Sequence, residues 1–565
     1  MKALTKILLF SLLISSILLG CASSQSDREI TLKETPTEAL ASTETIVSIA
    51  PPMGSDGYPW WNDTVFYEVF VRNFYDQDKD AIGDFEGLIE KLDYLKTLGI
   101  TGIYLMPIHP SGDASIDASG YRVEDYLAVN SDFGTMDDFR SLVSEIHKRG
   151  MRVIIDLVIN HTSNLHPWFK AAQDPNSPYR DYYIWSDSFP STKGPWGQDA
   201  WFEGENGYYF ATFGEYFPDL NYQNPSVTDE IYEIARFWLV EIGVDGFRLD
   251  AAQHLIEEDP QNQVNTESSH QWYENFREYI KNLKPNTLIA GEVWNVDPVV
   301  LASYTQGDEL DLVWEFGIQQ AIINSIESGD RNQIAQVLEE SIDTIPDFQF
   351  ITFLSNHDMT RIMTALENDV EKAKTAAFIL LTIPGVPFIY FGEEIGMQGG
   401  GEIEYESLLI PMQWTNEDNS PSWKEAWETV SQDYLDYNVE EEISDPNSIL
   451  TFYRELISLR NLHPAIRVGN FSIIDSRNPA FFSFLRVSQQ EKLIVIVNLA
   501  NRSITGIELS MNESVLPEGY YSISSLIGGD LIADLTIDVN GGFSLTLSSI
   551  EVPPYAKYIL ILSEN

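Results

Sequence analysis

The chain has 565 residues, of which 44% are hydrophobic and 12% aromatic, and this length and composition predict two or three packed domains. Its 86 acidic and 34 basic residues give a formal net charge of −52. Such a surplus of acid argues against nucleic acid as a partner, because phosphates would be repelled. It suits cation binding and a neutral substrate.

The first twenty residues have the pattern of a secretion signal. Lys2 and Lys6 precede an apolar run over residues 7–19, which is short for a membrane span. The run ends in the sequence LLGC at residues 18–21, which resembles the bacterial lipobox, where the signal is cut before a cysteine that is then lipidated. Cys21 is the chain's one cysteine, so it has no partner for an internal disulfide. We predict a lipoprotein signal peptide, with an ordinary signal and a chance cysteine as the alternative.

This prediction makes the protein exported and held at the bacterial cell envelope by a lipid on Cys21. The next segment, residues 21–58, is rich in Ser, Thr, Glu and Pro and poor in aromatic residues. Such a composition buries too little apolar surface to fold, so we predict a disordered tether.

An acidic loop, DQDKDAIGD at residues 76–84, follows the first strand-like run. Its closely spaced carboxylates would repel one another without a cation, and hard oxygen ligands at this density favour Ca²⁺. The loop is not an EF-hand, because alanine stands at the turn position and no glutamate closes the loop. The alternative is a solvated acidic turn. The candidate ligands are the carboxylates of Asp76, Asp78, Asp80 and Asp84 and the carbonyl of Ile82.

Helical and strand patterns then alternate along the chain. Residues 85–98 and 136–149 are amphipathic helical segments, each followed by a glycine that ends it. The intervening apolar runs are typical of buried parallel strands. The eight predicted strands cover residues 65–74, 100–108, 151–159, 246–249, 287–291, 312–316, 348–354 and 386–391. This alternation predicts an α/β fold with a closed (β/α)₈ barrel over residues 59–467.

Two further units accompany the barrel. Residues 161–222, after the third strand, are too many for a plain loop and are rich in aromatic residues, so we predict an inserted subdomain over the barrel mouth. Most of these rings are expected to pack the subdomain itself. Residues 468–565 contain short β-branched runs with Gly and Asn turns, which predict a C-terminal antiparallel β-sandwich.

Charged side chains follow several of the predicted strands. Arg248 and Asp250 lie two residues apart at the end of the fourth strand and so point to one face. Glu292 follows the fifth strand, and Asp358 follows the seventh. Barrel strands converge at their C-terminal face, so we expect the three acids to meet in one pocket. Paired carboxylates with groups that bind hydroxyls are the equipment of a glycosidase.

Four segments resemble the signature regions of the α-amylase family of glycoside hydrolases. They are residues 156–161 (DLVINH), 246–254 (GFRLDAAQH), 291–294 (GEVW) and 353–358 (FLSNHD). They occur in the family's order, and the resemblance extends from about residue 59 to the C-terminus.

The resemblance implies a retaining reaction on α-glucosidic bonds. Asp250 would be the nucleophile, Glu292 the general acid and base, and Asp358 a residue that grips sugar hydroxyls. Retention requires the two reacting carboxyl groups to lie roughly 5–5.5 Å apart. Asp156 would be a structural residue beside the site. The residues that the resemblance assigns to substrate binding are Tyr121, His161, Arg248, His254, Asn356 and His357.

The family also implies calcium between barrel and insertion. The matching positions are Asn160, Asp219 and the backbone carbonyl of His254, while the acidic loop matches a second calcium site of the oligo-1,6-glucosidase branch. In one departure, Arg122 stands where the family often has an aspartate after the tyrosine, so the contact made by that aspartate is not expected here.

The expected activity is cleavage of internal α-1,4 bonds in starch-like glucans by a monomeric enzyme. Ala251 supports this bond preference, because the branch that cuts α-1,6 bonds usually has valine there. The alternatives are a 4-α-glucanotransferase or α-glucosidase acting on maltooligosaccharides. A glucan-binding lipoprotein with an inactive site is a third hypothesis, against which the intact Asp250, Glu292 and Asp358 argue.

Overall fold

Eight parallel strands close into a barrel in which consecutive strands lie side by side and the first pairs with the last, which confirms the predicted (β/α)₈ fold. In this computed structural model the barrel residues are almost all buried, as expected for parallel strands covered by helices. The strands are β1 Phe66–Val69, β2 Gly102–Leu105, β3 Arg152–Leu157, β4 Gly246–Leu249, β5 Leu288–Gly291, β6 Leu312–Trp314, β7 Phe350–Thr352 and β8 Val386–Tyr390.

The structure describes residues 53–112, 119–400, 405–416, 432–529 and 533–564. The predicted signal peptide, Cys21 and the tether up to residue 52 lie outside the described residues. Within the described part of the chain, every helix is too short or too polar to cross a membrane.

Most paired strands are shorter than the apolar runs that predicted them, whereas β4 has the predicted bounds. The run at residues 65–74 forms β1 and then a 3₁₀ turn, Val71–Asn73. Phe70 and Phe74 lie beyond β1 yet are 1% and 0% exposed. An apolar run therefore records burial, which continues past the point where strand pairing ends.

The helices around the barrel begin and end at recognisable caps. Asp84 accepts a hydrogen bond from Gly87 N at 2.6 Å at the start of the first helix, and Gly99 ends that helix with φ of 101°. The longer helices are Phe85–Leu98, Met136–Lys148, Pro225–Arg236, Glu267–Leu283, Phe316–Ser328, Asn332–Thr344, Val370–Thr382 and Ile449–Leu462. The short helices are Pro167–Ala172, Pro298–Ser303, Ile362–Ala365, Val439–Glu442 and Pro464–Val468.

The insertion after β3 forms a small antiparallel sheet of three strands, Trp185–Ser186, Trp201–Gly204 and Gly207–Phe210. Phe169 packs against Tyr183 and Tyr209 with ring centroids 5.0 and 4.8 Å away, so aromatic residues build the core of this subdomain. A bridge between His161 and Asp219 ties the two ends of the insertion together.

The C-terminal region forms antiparallel sheets of six and three strands. Residues from both sheets, such as Ile496 and Leu545, share one core, while Phe482 on the six-stranded sheet joins the core of the barrel. The strands are Asn470–Ile473, Asp475–Ser476, Phe481–Val487, Lys492–Asn498, Ile504–Met511, Gly519–Ile527, Ala533–Ile537, Phe543–Val552 and Lys557–Glu564.

The end of the predicted tether is ordered. Residues 53–58 precede the predicted barrel boundary, but the Ser55 hydroxyl accepts a hydrogen bond from Arg467 at 2.8 Å. The Asp56 carboxylate accepts from Gln489 N at 3.2 Å. These contacts attach the segment to the barrel and to the C-terminal sheets, so the described chain is already held in place before Pro59.

Candidate active site

Arg248 lies at the centre of the candidate site, in β4, with 1% of its surface exposed. Its Nη1 donates to Asp156 at 2.9 Å and to Asp250 at 2.6 Å. Its Nη2 lies 2.7 Å from Oε2 of Glu292. One guanidinium therefore contacts both carboxylates that the sequence singled out for the reaction, as well as Asp156.

The strand ends set this arrangement. Asp156 in β3 pairs in register with Arg248 in β4, which aligns the two side chains. Glu292 follows β5 directly, and its N–H continues the ladder by donating to the carbonyl of Leu249 at 3.0 Å. Asp250 and Glu292 are thus carried on neighbouring strands at the same end of the barrel, as the barrel geometry predicts.

Burial dominates the titration of the two acids. It raises the pKa of Asp250 to about 7 and also raises the pKa of Glu292, while Arg248 opposes both shifts. Two carboxyl groups that share one guanidinium release their protons in coupled steps. Near neutral pH such a pair can hold one proton, which a pair made of one nucleophile and one general acid requires.

Asp358 joins the site through His357. The Nε2 atom of His357 lies 3.1 Å from Asp358 Oδ2 and 2.8 Å from the Tyr121 hydroxyl. The Tyr121 hydroxyl donates to Asp156 at 2.8 Å and accepts from Arg248 at 3.1 Å. A chain of contacts thus links all three predicted acids.

Sequence reasoning missed Glu68, whose Oε1 lies 2.7 Å from the Nδ1 atom of His357. Its position in the first strand gave no signal, because its partner lies 289 residues away. Asn356, predicted to bind substrate, uses its Oδ1 to accept from the backbone N–H of Asp358 at 3.0 Å. This contact shapes the loop that carries Asp358.

The two remaining histidines lie on the side of the insertion. His161 is 3.2 Å from the Tyr121 carbonyl through Nε2, and burial lowers the pKa of His161 to about 4. His254 packs against Trp196 and Phe213 with ring centroids 5.0 and 5.7 Å away. Among the described residues, the hydrogen bonds and ring contacts of His254 are with residues other than Asp250, Glu292 and Asp358.

Two of the predicted calcium positions at the insertion are in contact, because the Asn160 amide donates to the carbonyl of His254 at 2.7 Å. The third, Asp219, is 1% exposed, and its carboxylate accepts hydrogen bonds from Thr212. Burial raises the pKa of Asp219 to about 7 and raises that of nearby Glu257 well above its ordinary value. Oε1 of Glu257 is buried and has no hydrogen-bond partner among the described residues.

These groups fit a hard cation. Two buried carboxyl groups, one amide and one carbonyl offer the oxygen donors that Ca²⁺ prefers. A bound cation would also provide a partner for the buried Oε1 of Glu257. The sequence prediction missed Glu257, although it lies only three residues after His254. The Asn160 amide would have to turn its oxygen toward the cation, an exchange that its hydrogen bonding permits.

The acidic loop brings three of its predicted ligands together. Ligand oxygens of Asp76, Asp78 and Asp84 lie within 4.8 Å of one another. Asp80 is outside this group of three, and its Oδ1 accepts from the N–H of Ile82 at 2.9 Å. Asp84 also caps the following helix, which fixes one ligand on a rigid element.

Comparison with known proteins identifies the class to which this fold and site belong. The family described as "Alpha amylase, catalytic domain" matches residues 68–469. The chain therefore belongs to the α-amylase family of glycoside hydrolases.

Individual relatives agree with this assignment. "Alpha-amylase 3" of Dictyoglomus thermophilum is 39% identical over 449 residues, or 78% of this chain and 85% of the relative. "Trehalose synthase/amylase TreS" of Mycolicibacterium smegmatis is 32% identical over 88% of this chain and 94% of its own length. The crystal structure of an alpha-amylase from H. orenii matches with a TM-score of 0.75 and 36% identity, covering 88% of this chain and 99% of that one.

The candidate calcium site at the insertion contains Asn160, Asp219, Glu257 and the carbonyl of His254. It predicts that the stabilisation of the protein by calcium depends on pH. The folded pKa of Asp219 is raised to about 7, whereas an unfolded aspartate titrates near about 3.9. Its contribution to stability is therefore fully present below pH 4 or so and is lost as pH rises through about 7.

Calcium binds the ionised form, so it should raise the thermal unfolding temperature more at pH 8 than at pH 5. Calcium at roughly 100 times its Kd would increase the free energy of unfolding by about 2.7 kcal/mol. Calorimetry with and without a chelator at both pH values measures this, and Asp219→Asn is expected to reduce the pH-dependent part, with Glu257 contributing the remainder. An equal calcium effect at the two pH values in wild type would contradict the assignment.

Proposed function

We propose that this protein is a retaining α-amylase that cleaves internal α-1,4-glucosidic bonds of starch-like glucans and maltooligosaccharides. The observation that supports it is the guanidinium of Arg248, which contacts both Asp250 and Glu292 at 2.6 and 2.7 Å. Nucleophile and acid are then close neighbours on adjacent strand ends, as retention requires.

In the proposed reaction Asp250 attacks the anomeric carbon while Glu292 gives its proton to the leaving glycosidic oxygen. A covalent glucosyl ester forms on Asp250. Glu292, now ionised, takes a proton from water, which attacks the ester and releases the sugar with its original configuration. Asp358 grips sugar hydroxyls and favours the distorted ring. The raised pKa of Glu292 suits the first step, because the acid must hold its proton near neutral pH.

Calcium belongs to this proposal as a structural ion. Asn160, Asp219, Glu257 and the carbonyl of His254 would hold it where the insertion leaves the barrel. Asp76, Asp78 and Asp84 would hold a second ion in the loop after β1. Neither site contains a group of the reaction, so the ions would act on stability and on the placement of the insertion.

The second candidate function is glucosyl transfer, as in a 4-α-glucanotransferase, with α-glucosidase action on short chains as a further form. The similarity to a protein named "Trehalose synthase/amylase" favours it specifically. Transfer uses the same ester on Asp250 and differs only in whether a sugar or water accepts the glucosyl unit.

Products distinguish the two candidates. Purified enzyme incubated with starch should release new reducing ends, and incubated with maltotriose should yield few longer chains, because water accepts the glucosyl unit. Chromatography of labelled maltooligosaccharides with a reducing-end assay measures both. Elongation of maltotriose without net release of reducing ends would instead establish transfer.

Glu292→Gln tests the assignment of the acid and base. The variant keeps the size and hydrogen bonding of the side chain but has no proton to transfer, so turnover should fall roughly 10²–10⁴-fold. Binding of maltoheptaose, measured by isothermal titration calorimetry, should persist. Asp250→Asn provides a second inactive variant by removing the nucleophile. Near-wild-type turnover by Glu292→Gln would refute the assignment.

We further propose that the protein is a lipoprotein of the cell envelope, anchored through Cys21. The support is the LLGC sequence at residues 18–21 after an apolar run. In a bacterial host, wild type should take up labelled fatty acid and sediment with membranes. Cys21→Ser should do neither while keeping its activity. Unchanged labelling and sedimentation of the serine variant would exclude a lipid on this residue.

A further inference from the structure

A buried glutamate contacts the side of His357 that faces away from Asp358. Glu68 lies in β1, and its Oε1 is 2.7 Å from Nδ1 of His357, with both side chains 2% exposed. On the opposite side of the ring, Nε2 lies 3.1 Å from Asp358 and 2.8 Å from the Tyr121 hydroxyl. The imidazole ring therefore connects a carboxylate inside the barrel wall to one at the mouth, which is 38% exposed.

The partners of the two ring nitrogens define where its protons lie. Glu68 and Asp358 present carboxylate oxygens, which accept hydrogen bonds when ionised. The Tyr121 hydroxyl donates its single proton to Asp156 at 2.8 Å, so toward His357 it offers an acceptor. A neutral imidazole donates from one nitrogen only. Acceptors on both sides are therefore satisfied together only by the charged imidazolium.

The electrostatic surroundings agree with this deduction. Burial lowers the pKa of His357, but Asp358 and Glu68 outweigh it and raise the pKa well above its ordinary value. Among the described residues, Glu68 forms an ion pair with His357. The other charged or titratable groups around this pair are Tyr121, Glu292, Arg248 and Asp156 toward the site, and Tyr104 and Tyr390 on the strands beside β1.

We propose that Glu68 is a positioning residue of the catalytic site, which holds the ring of His357 in its charged form so that Nε2–H orients Asp358. The inference rests on the proposed function, in which Asp358 grips the sugar. A neutral ring would keep its proton on Nδ1, toward Glu68. Its Nε2 lone pair would then face the Asp358 carboxylate and repel it, whereas the charged ring gives Asp358 a strong, directed hydrogen bond.

Glu68→Gln removes the charge and retains an oxygen that accepts from Nδ1–H. The ring should then lose its proton within the assay range, and Asp358 should lose its orientation. We expect kcat/KM close to wild type at low pH, with a deficit that grows about tenfold per pH unit above the lowered pKa of the ring. Glu68→Asp keeps the charge and should restore much of the wild-type profile.

The chain offers a control in a second pair of glutamate and histidine, in which the glutamate is buried and the histidine partly exposed. Glu309 is 4% exposed, and its carboxylate lies 2.9 Å from Nδ1 of His270. Glu309→Gln should lower the unfolding temperature without changing the shape of the pH profile. A Glu68→Gln deficit that is equal at every pH would mean that Glu68 has only a structural role, and would overturn the proposal.

Nuclear magnetic resonance of the full chain with labelled histidine gives a readout that is independent of activity. The chain has 8 histidines, and His357→Asn identifies the resonances of interest. In wild type both ring nitrogens of His357 should remain protonated well above the pH at which an ordinary histidine titrates, and in Glu68→Gln one should lose its proton at a lower pH than in wild type. A neutral ring in wild type at pH 7 would overturn the proposal. A charged ring in a protein without activity on α-glucans would refute the proposed function instead.

Discussion

The candidate active site is arranged around one buried cation, which contacts three acidic side chains. Arg248 is 1% exposed and contacts Asp156, Asp250 and Glu292. Several kcal/mol are lost when an ion leaves water, and the loss is recovered only where good partners surround it. Without this guanidinium the three carboxylates would repel one another in a medium of low polarity and would take up protons instead of staying ionised.

In the part of the site that holds Asp358, the proposed second cation is the protonated ring of His357. His357 lies between Glu68 and Asp358, much as Arg248 lies between its own carboxylates. The barrel mouth thus contains more acid than base, and this surplus has a chemical consequence. Burial and the charge of Asp358 both raise the pKa of Glu292. The surroundings that position Glu292 therefore also favour its protonated form.

The sequence predicted those parts of the site that follow from a local pattern. Strand ends such as residues 246–250 combine an apolar run with charged residues, and the barrel topology brings such ends together whatever their separation along the chain. Glu68 has no such pattern, because its importance comes from a partner 289 residues away. Glu257 was missed for a similar reason, since only folding reveals that one of its oxygens is buried without a hydrogen-bond partner in the described part of the chain. Strand lengths were overpredicted because apolar runs mark burial and do not mark where pairing stops.

The insertion and the reaction centre are physically continuous at His161. Its backbone bridges to Asp219, and its Nδ1 lies 3.2 Å from the side chain of Asn160, so it belongs to the root of the insertion. Its Nε2 lies 3.2 Å from the carbonyl of Tyr121, and the hydroxyl of Tyr121 contacts Arg248 and His357. The calcium proposed for Asn160 and Asp219, next to His161, would therefore act on substrate binding more than on the chemical step.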